Sequence, residues 1–252
     1  MALRRSSAQL RQPRTAAARG LNAPPGPPPT PLPTGALRVK TRKVFVSGEP
    51  AAGKTTALKR VAEHLRDAGA VCPPFFGFVT EDRRGAAGRV GFDIVVLHPP
   101  APQPPPPVPN TRVALATQTA LLPPGSAVGA GGKPLPTVGQ YSVHVDAIDA
   151  VMVPVIQAAV ASAKAHKVPP GDGAAAAVLV LDEVGKMELL SARFGAAVRE
   201  ALATPGLAVL GSVALYGRAP VVTTIHQRYT PFVMTTRNRE LAPGTLMESL
   251  CN

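Results

Sequence analysis

Residues 43–65 read KVFVSGEPAAGKTTALKRVAEHL, and this stretch decides the fold. Its centre, residues 48–55, matches the phosphate-binding pattern G-x-x-x-x-G-K-[ST] at every fixed position. A short β-branched and aromatic run precedes the loop, and apolar residues recur at helical spacing from Ala57 until Gly69, a natural helix terminator. The stretch therefore predicts a strand, a phosphate loop and a helix in series.

The residue types of the loop suit the binding of a nucleoside triphosphate. Gly48 and Gly53 allow backbone conformations in which amide N–H groups turn inward onto phosphate oxygens, and the helix N-terminus adds its positive dipole end. Lys54 is expected to reach the β- and γ-phosphates, while the hydroxyl of Thr55 binds Mg²⁺. The expected nucleotide-binding residues of the loop are Gly48, Glu49, Pro50, Ala51, Ala52, Gly53, Lys54, Thr55 and Thr56. The alternative is a chance glycine-rich turn with a solvated lysine, which does not explain the strand and helix that flank it.

A second chemical feature is the pair Asp182 and Glu183, which follows the apolar run at 174–181. Such a run is typical of a strand that is buried on both faces of a parallel sheet. In a phosphate-loop enzyme, Asp182 would bind Mg²⁺, usually through water, and Glu183 would orient or deprotonate the attacking water. Taken alone, the two acids fit equally well a solvated pair that caps the next helix. The presence of the phosphate loop favours the catalytic interpretation.

The rest of the chain alternates strands with helices. Residues 75–80 and 90–97 predict a β-hairpin, and helical periodicity covers 146–166, where Pro154 should kink or restart the helix. Further elements are predicted at 137–145 (a strand or ordered loop), 189–202 (helix), 207–213 (strand), 221–228 (helix) and 232–235 (strand). The alternation predicts an α/β fold with a doubly wound, mainly parallel sheet and the phosphate loop at its carboxyl edge.

Composition separates an N-terminal arm from the folded domain. Residues 1–43 hold nine of the 27 Lys and Arg residues and no Asp or Glu, so the formal charge of +12 belongs mainly to this part. Residues 1–20 have the composition of an organelle transit peptide, or else of an ordinary disordered basic arm, and residues 21–36 form a proline-rich linker. We expect a chloroplast or mitochondrial location in the first case and a cytoplasmic one in the second.

Two domains are predicted on this basis. A transit-peptide-like or disordered, basic and proline-rich arm occupies residues 1–40, and a phosphate-loop domain occupies residues 41–252. The second domain carries a Pro/Gly-rich insertion at 98–137, within which the tract at 99–109 is too rigid and too poor in hydrophobic side chains to belong to a core.

Composition also disfavours several classes of function. Beyond residue 43 the chain holds 18 basic and 15 acidic residues, Trp is absent and aromatic residues make up 4%, so nucleic acid is an unlikely partner. Cys72 and Cys251 lack the neighbours of a zinc site or redox pair, and the five histidines do not cluster at ligand spacing. The longest apolar stretch, at 151–163, falls short of the roughly 20 residues of a membrane span. We expect a soluble monomer.

Several motifs together resemble one family. GEPAAGKTT, GFVTEDRR…GRVGFDIV, VGQY, LDEVGKMEL and the terminal TTRNR follow the order seen in the cancer-related nucleoside-triphosphatase family of archaea, thermophilic bacteria and eukaryotes. The resemblance covers about residues 42–241, with the proline-rich insertion looped out, while residues 215–231 align only with gaps. It implies a compact P-loop NTPase domain related to nucleotide kinases, which hydrolyses ATP, GTP and other nucleoside triphosphates with Mg²⁺ and broad base tolerance.

By position, the resemblance assigns residues 48–56 to the phosphates and Asp182 and Glu183 to metal and water. It places Lys186 at the nucleotide edge of the site, where it would offset transition-state charge; a helix-capping or surface role for this lysine stays open. Arg239 is assigned to the nucleotide. The candidates for a charge-stabilising arginine are Arg84, Arg89, Arg218, Arg228 and Arg239.

Three functions fit these residues. The leading hypothesis is an Mg²⁺-dependent phosphohydrolase in which Glu183 positions water for attack on the γ-phosphate. The first alternative is a small-molecule, nucleotide or RNA-end kinase with hydrolysis as a side activity; Thr80 and Glu81 would then line the acceptor side of the cleft, and Asn238 would approach the base or the lid. The second alternative is a nucleotide-dependent module in which the tract at 99–109 recruits a protein partner.

Overall fold

The computed structural model describes residues 32, 38–68, 72–86, 88–97, 112–166 and 173–252. The strands of this part of the chain are β1 Lys43–Gly48, β2 Phe75–Gly85, β3 Gly88–Leu97, β4 Arg112–Gln118, β5 Thr137–Val138, β6 Tyr141–Val143, β7 Ala177–Val184, β8 Leu207–Val213 and β9 Phe232–Met234. They form one sheet in the order β5-β6-β4-β3-β2-β7-β8-β1-β9.

The sheet is parallel where the candidate site lies. Strands β2, β7, β8, β1 and β9 are parallel neighbours, whereas β3, β4, β6 and β5 extend the sheet with antiparallel pairs. Strand β8 lies between β1 and β7, so the carboxyl ends of these three strands meet at one edge. The predicted α/β fold with a mainly parallel sheet and a β2–β3 hairpin is confirmed.

Helices cover both faces of the sheet. They are α1 Lys54–Asp67, α2 Val145–Ala147, α3 Val153–Ala165, α4 Ala192–Ala203, α5 Pro220–Tyr229 and α6 Ala242–Cys251. One core cluster contains side chains of α1 and α6, and the other contains side chains of α3, α4 and α5. Alternate residues of β7 enter the two clusters, Val178 the first and Leu179 the second, which is why this strand reads as an unbroken apolar run.

The helical run at 145–165 is continuous, and its regular α-helical pattern changes just before Pro154, where the sequence predicts a kink or a restart. A π-helical segment, Ile148–Met152, joins α2 to α3, and Pro154, which has no N–H to donate, lies directly after it in the first turn of α3. By length and composition alone this run of 21 residues is long and apolar enough to cross a membrane. Ile148, Met152 and Ile156 are fully buried in the core cluster, however, which is the packing of a core helix.

Two elements correct the sequence-based assignment. Strand β4 lies inside the segment 98–137 that was assigned to an insertion, yet it pairs with β3 and β6 and buries Leu115 and Ala116. The insertion is therefore shorter than the sequence predicts. Strand β4 depends on pairing with distant strands, which a seven-residue run between Pro-rich and Gly-rich segments does not reveal. Helix α6 was not predicted, since Pro243 and Gly244 near its start resemble a loop.

Other elements differ in their bounds. The segment at 137–145 contains two short strands, β5 and β6, and β7 begins at Ala177 and continues through Asp182 and Glu183. Several predictions lie outside the described residues: most of the arm at 1–40, the proline-rich tract at 99–109 and the helix terminator Gly69. The described fold already includes Val39, which is buried, and Lys40, whose N–H donates to the carbonyl of Leu250 at 2.7 Å.

Candidate active site

The loop between β1 and α1 has the backbone conformation that its glycines predict. Gly48 has φ +154° and Gly53 has φ +102°, values that side chains disfavour, and Ala51 also has a positive φ of 64°. A Cβ on Gly48 would lie 2.3 Å from the carbonyl oxygen of Met234 in β9. The end of β1 therefore packs so closely on β9 that glycine is required there.

The substitution Gly48→Ala is expected to destabilise the protein by about 1–3 kcal/mol, because either the loop or β9 must move to admit the methyl group. The matched control is Gly195→Ala in α4, where an added Cβ meets its nearest atoms at an ordinary 3.6 Å. Chemical denaturation of both variants checks the difference. Equal stability of Gly48→Ala and the parent protein would contradict the observed packing.

Lys54 is held inside the loop. Its ammonium group donates to the carbonyl oxygens of Gly48 at 2.9 Å and Glu49 at 3.3 Å, and the residue is only 9% exposed. The charge is thus kept within the cradle of the loop, and phosphate oxygens would replace the two carbonyls as its partners. Of the remaining loop residues, Ala52 is buried, whereas Glu49, Pro50, Ala51 and Thr56 are exposed.

Asp182 connects the acidic end of β7 to the loop and to the neighbouring strands. Its Oδ2 accepts from the hydroxyl of Thr55 at 2.7 Å and from the N–H and hydroxyl of Thr80 at 3.4 and 3.3 Å, and its Oδ1 accepts from the hydroxyl of Ser212. The residue is 1% exposed. The alternative in which Asp182 belongs to a solvated, helix-capping pair is therefore wrong.

The donor set around Asp182 fits Mg²⁺. Hydroxyl and carboxylate oxygens are ligands that this hard cation prefers. The hydroxyl oxygen of Thr55 and a carboxylate oxygen of Asp182 lie 2.7 Å from each other. Among the described residues no group of three or more His, Cys, Asp and Glu side chains forms a metal site. Mg²⁺ is usually bound by one or two protein oxygens together with phosphate and water.

Glu183 and Glu188 are two partly or fully buried acids on either side of Gly185. Burial raises the pKa of Glu183, an effect opposed by the charge of Lys54 and reinforced by Asp182. Burial, with the nearby Glu183 charge, raises the pKa of Glu188 to about 8. A Cβ on Gly185 would lie 3.0 Å from Glu188 Oε2 and 3.4 Å from Glu183 Oε1, so both carboxyl groups lie close to this glycine.

The buried acid Glu188 is expected to make stability fall as pH rises. Between its ordinary pKa of 4.5 and about 8, the folded protein retains a proton that the unfolded chain has released. The free energy of unfolding should therefore fall across this range by up to about 1.4 kcal/mol per pH unit. Denaturation of the parent protein and Glu188→Gln at pH 5.5, 6.5 and 7.5 checks this. The variant should show the flatter profile, and parallel profiles would contradict the assignment.

The arginine candidates differ in their surroundings. Arg239 lies beside the phosphate loop, since a Cβ on Gly53 would be 3.9 Å from its Cβ and Cδ, and its Nε is 3.4 Å from a carboxylate oxygen of Glu240. Arg84 and Arg89 both pair with Asp82 on the hairpin, at 3.0 and 2.9 Å. Arg218, Arg228 and the predicted catalytic Lys186 are exposed. Arg239 is also exposed, and it is the candidate that the structure places beside the loop.

Other residues named from the sequence have structural partners. The side-chain oxygen of Asn238 accepts from the N–H of Thr235 at 2.7 Å, and its amide donates to the carbonyl of Val233, so it closes the turn after β9. Glu81 accepts from Lys59 of α1 at 2.6 Å and also from Arg112. Thr80, in contrast, belongs to the Asp182 cluster.

Sequence reasoning missed Ser212 and Glu188. Ser212 is the penultimate residue of β8, a strand of small and apolar residues, and a lone serine there carries no sequence signal. Its relation to Asp182 depends on the pairing of β8 with β7. Glu188 lies in a motif that was quoted from the sequence, but its burial is a tertiary effect. In the described part of the chain, Ser47 is also fully buried, and its hydroxyl has no hydrogen-bond partner there.

Comparison with known proteins agrees with this geometry. A model of a family described as NTPase matches residues 43–102 and 113–247. The cancer-related nucleoside-triphosphatase of Homo sapiens is 36% identical over 172 residues, which are 68% of this chain and 75% of the relative. Nucleoside-triphosphatase THEP1 of Thermofilum pendens is 29% identical over 226 residues, which are 84% of this chain and 96% of the relative.

Solved structures give the same result. The crystal structure of THEP1 from Aquifex aeolicus has a TM-score of 0.61 at 24% identity and covers 83% of this chain and 99% of that chain, a likeness of fold alone. The solution structure of a human cancer-related nucleoside triphosphatase has a TM-score of 0.55 at 32% identity, and the match covers 82% of this chain and 94% of that chain. With the family model matched on both sides of the proline-rich tract, the chain belongs to the nucleoside-triphosphatase (NTPase) family.

Proposed function

We propose that the protein hydrolyses nucleoside triphosphates to the nucleoside diphosphate and phosphate with the help of Mg²⁺. It accepts ATP, GTP and the triphosphates of other bases. The observation that supports this most strongly is the 2.7 Å hydrogen bond between Thr55 and Asp182. It joins the first turn of the phosphate-loop helix to the acidic end of β7, and these are the two positions that hold Mg²⁺ in P-loop NTPases.

The residues of the loop bind and neutralise the triphosphate. Backbone N–H groups between Gly48 and Thr56 donate to phosphate oxygens, and the ammonium of Lys54 exchanges its contacts with the Gly48 and Glu49 carbonyls for the β- and γ-phosphates. Arg239, beside Gly53, is the arginine best placed to reach the nucleotide. Lys186 remains a candidate for a second charge at the edge of the site.

Glu183 acts on water. Its raised pKa makes its carboxylate a stronger base than an exposed glutamate, while the charge of Lys54 opposes this rise in the pKa. The carboxylate accepts a proton from the water that attacks the γ-phosphate. Thr55 and Asp182 would hold Mg²⁺, which would supply positive charge near the phosphate oxygens.

Phosphate release by the full chain tests the proposal. ATP, GTP, CTP and UTP are each supplied with Mg²⁺ and, in parallel, with EDTA. We expect release from all four, and its loss with EDTA. Tight nucleotide binding without phosphate release would contradict the proposal.

A further inference from the structure

The proposed function leaves the buried acid Glu188 without a role. Glu188 lies in the turn between β7 and α4, and it is 5% exposed. Burial, followed by the nearby charges of Glu183 and Asp182, raises the pKa of its carboxyl group to about 8, so the group is protonated near neutral pH. A buried acid with two further acids nearby destabilises the folded chain, so its position calls for an explanation.

The side chain of Glu188 lies close to that of Glu183. The position that a Cβ on Gly185 would take is 3.0 Å from Glu188 Oε2, and it is 3.4 Å from both Cγ and Oε1 of Glu183. The two carboxyl groups therefore border the same small space above the backbone of Gly185. Glu183 belongs to β7, and Glu188 begins the 3₁₀ turn Glu188–Leu190. The turn thus brings Glu188 back to the residue that acts on water.

Hydrogen bonds fix the backbone of this turn. The N–H of Leu189 donates to the carbonyl of Gly185, and the N–H of Ser191 donates to the carbonyl of Glu188, both at 3.1 Å. The backbone N–H groups of Gly185 and of Glu188 itself donate to the Glu188 carboxyl group and oppose the rise of its pKa. The Glu188 side chain is therefore tied to the backbone only two residues after Glu183.

We propose that Glu188 is the positioning residue of Glu183: its neutral carboxyl group fixes the turn at Gly185 and keeps the carboxylate of Glu183 directed at the attacking water. A neutral carboxyl group accepts from the two N–H groups without placing a second negative charge beside the base. A displacement of about 1 Å at a reacting group can cost about 100-fold in rate, so a residue that touches no substrate can still set kcat. This inference rests on the proposed function, because it takes Glu183 as the group that acts on water.

Two substitutions at Glu188 test the positioning role in the full chain at pH 7. Glutamine keeps a carbonyl oxygen for the two N–H groups and adds no charge, so Glu188→Gln should keep kcat within about threefold of the parent value. We expect Glu188→Ala to lower kcat for ATP about 10- to 100-fold and to keep the parent affinity for the β,γ-imido analogue of ATP. Leu246→Ala, which leaves a cavity in the core cluster of α1 and α6, controls for a loss of stability alone and should keep the parent kcat.

A second readout does not need turnover. Exchange of the Gly185 amide hydrogen with solvent can be followed by NMR in the nucleotide-free protein. We expect this exchange to be about 10-fold faster in Glu188→Ala than in Leu246→Ala, because the amide loses its acceptor. In Glu188→Gln the exchange should stay close to that of the parent protein.

The outcomes separate the inference from the proposed function. Parental kcat in Glu188→Ala would overturn the positioning role, and so would an equal loss of kcat in Glu188→Gln or in Leu246→Ala. Unchanged exchange of the Gly185 amide in Glu188→Ala would also overturn it. If the parent protein releases no phosphate from ATP while this exchange still depends on Glu188, the hydrolase is contradicted and the tie between Glu188 and the turn is supported.

Discussion

Phosphate release from ATP is expected to fall about 100- to 1,000-fold in Lys54→Ala. The ammonium of Lys54 lies within the loop, 2.9 Å from the Gly48 carbonyl, so its charge is already at the place where the phosphates bind. Because the residue is only 9% exposed, water screens this charge poorly. Steady-state phosphate release at saturating ATP measures the loss.

The matched control for this variant is Lys59→Ala. Lys59 belongs to the same helix, but its ammonium pairs with Glu81 at 2.6 Å and its side chain is 39% exposed. Such exposed pairs contribute about 0–1 kcal/mol, so hydrolysis should stay within about twofold of the parent rate. Equal losses in the two variants, at equal thermal stability, would show that the position of Lys54 in the loop has no special role.

Glu183→Gln is expected to lower kcat by about 100- to 10,000-fold and to retain nucleotide affinity. Glutamine has nearly the same shape but cannot accept a proton from water. Burial raises the pKa of Glu183 above its ordinary value of 4.5, so the parent rate should increase with pH as this carboxyl group ionises. The increase should be absent in the variant. Pre-steady-state phosphate release across pH 5–8, with binding measured separately, gives both quantities.

Glu63→Gln is the control for the loss of a carboxylate, since Glu63 is exposed on α1. It should hydrolyse ATP like the parent protein and keep the same pH profile. If Glu183→Gln retained hydrolysis and the increase with pH, another group would have to accept the proton, and the assigned role of Glu183 would be contradicted.

The parts of the site that could be predicted from sequence are those that local residues define. The phosphate loop has a fixed length and needs glycine at two positions, and both glycines have positive φ values. The acidic pair could be placed at a strand end because Leu181 and the residues before it form an unbroken apolar run, which requires burial on two faces. These features depend on few residues that are close in sequence.

The parts that could not be predicted depend on distant partners. Strand β4 forms because it pairs with β3 and β6. Ser212 belongs to the site only because β8 lies between β1 and β7. The sequence also does not distinguish Arg89, which is bound to Asp82, from Arg239, which lies beside Gly53. All three outcomes are set by strand order and by side-chain packing, which local patterns do not encode.

The most direct test of the proposed function is the fate of the transferred phosphoryl group in ¹⁸O-labelled water. The full chain is incubated with ATP and Mg²⁺, and the products are analysed by mass spectrometry. We expect phosphate that carries one ¹⁸O atom from solvent, an unlabelled nucleoside diphosphate, and equal amounts of the two products, because water held by Glu183 attacks the γ-phosphate. Nucleoside diphosphate that forms without labelled phosphate would contradict the account, since the phosphoryl group would then have gone to an acceptor other than water.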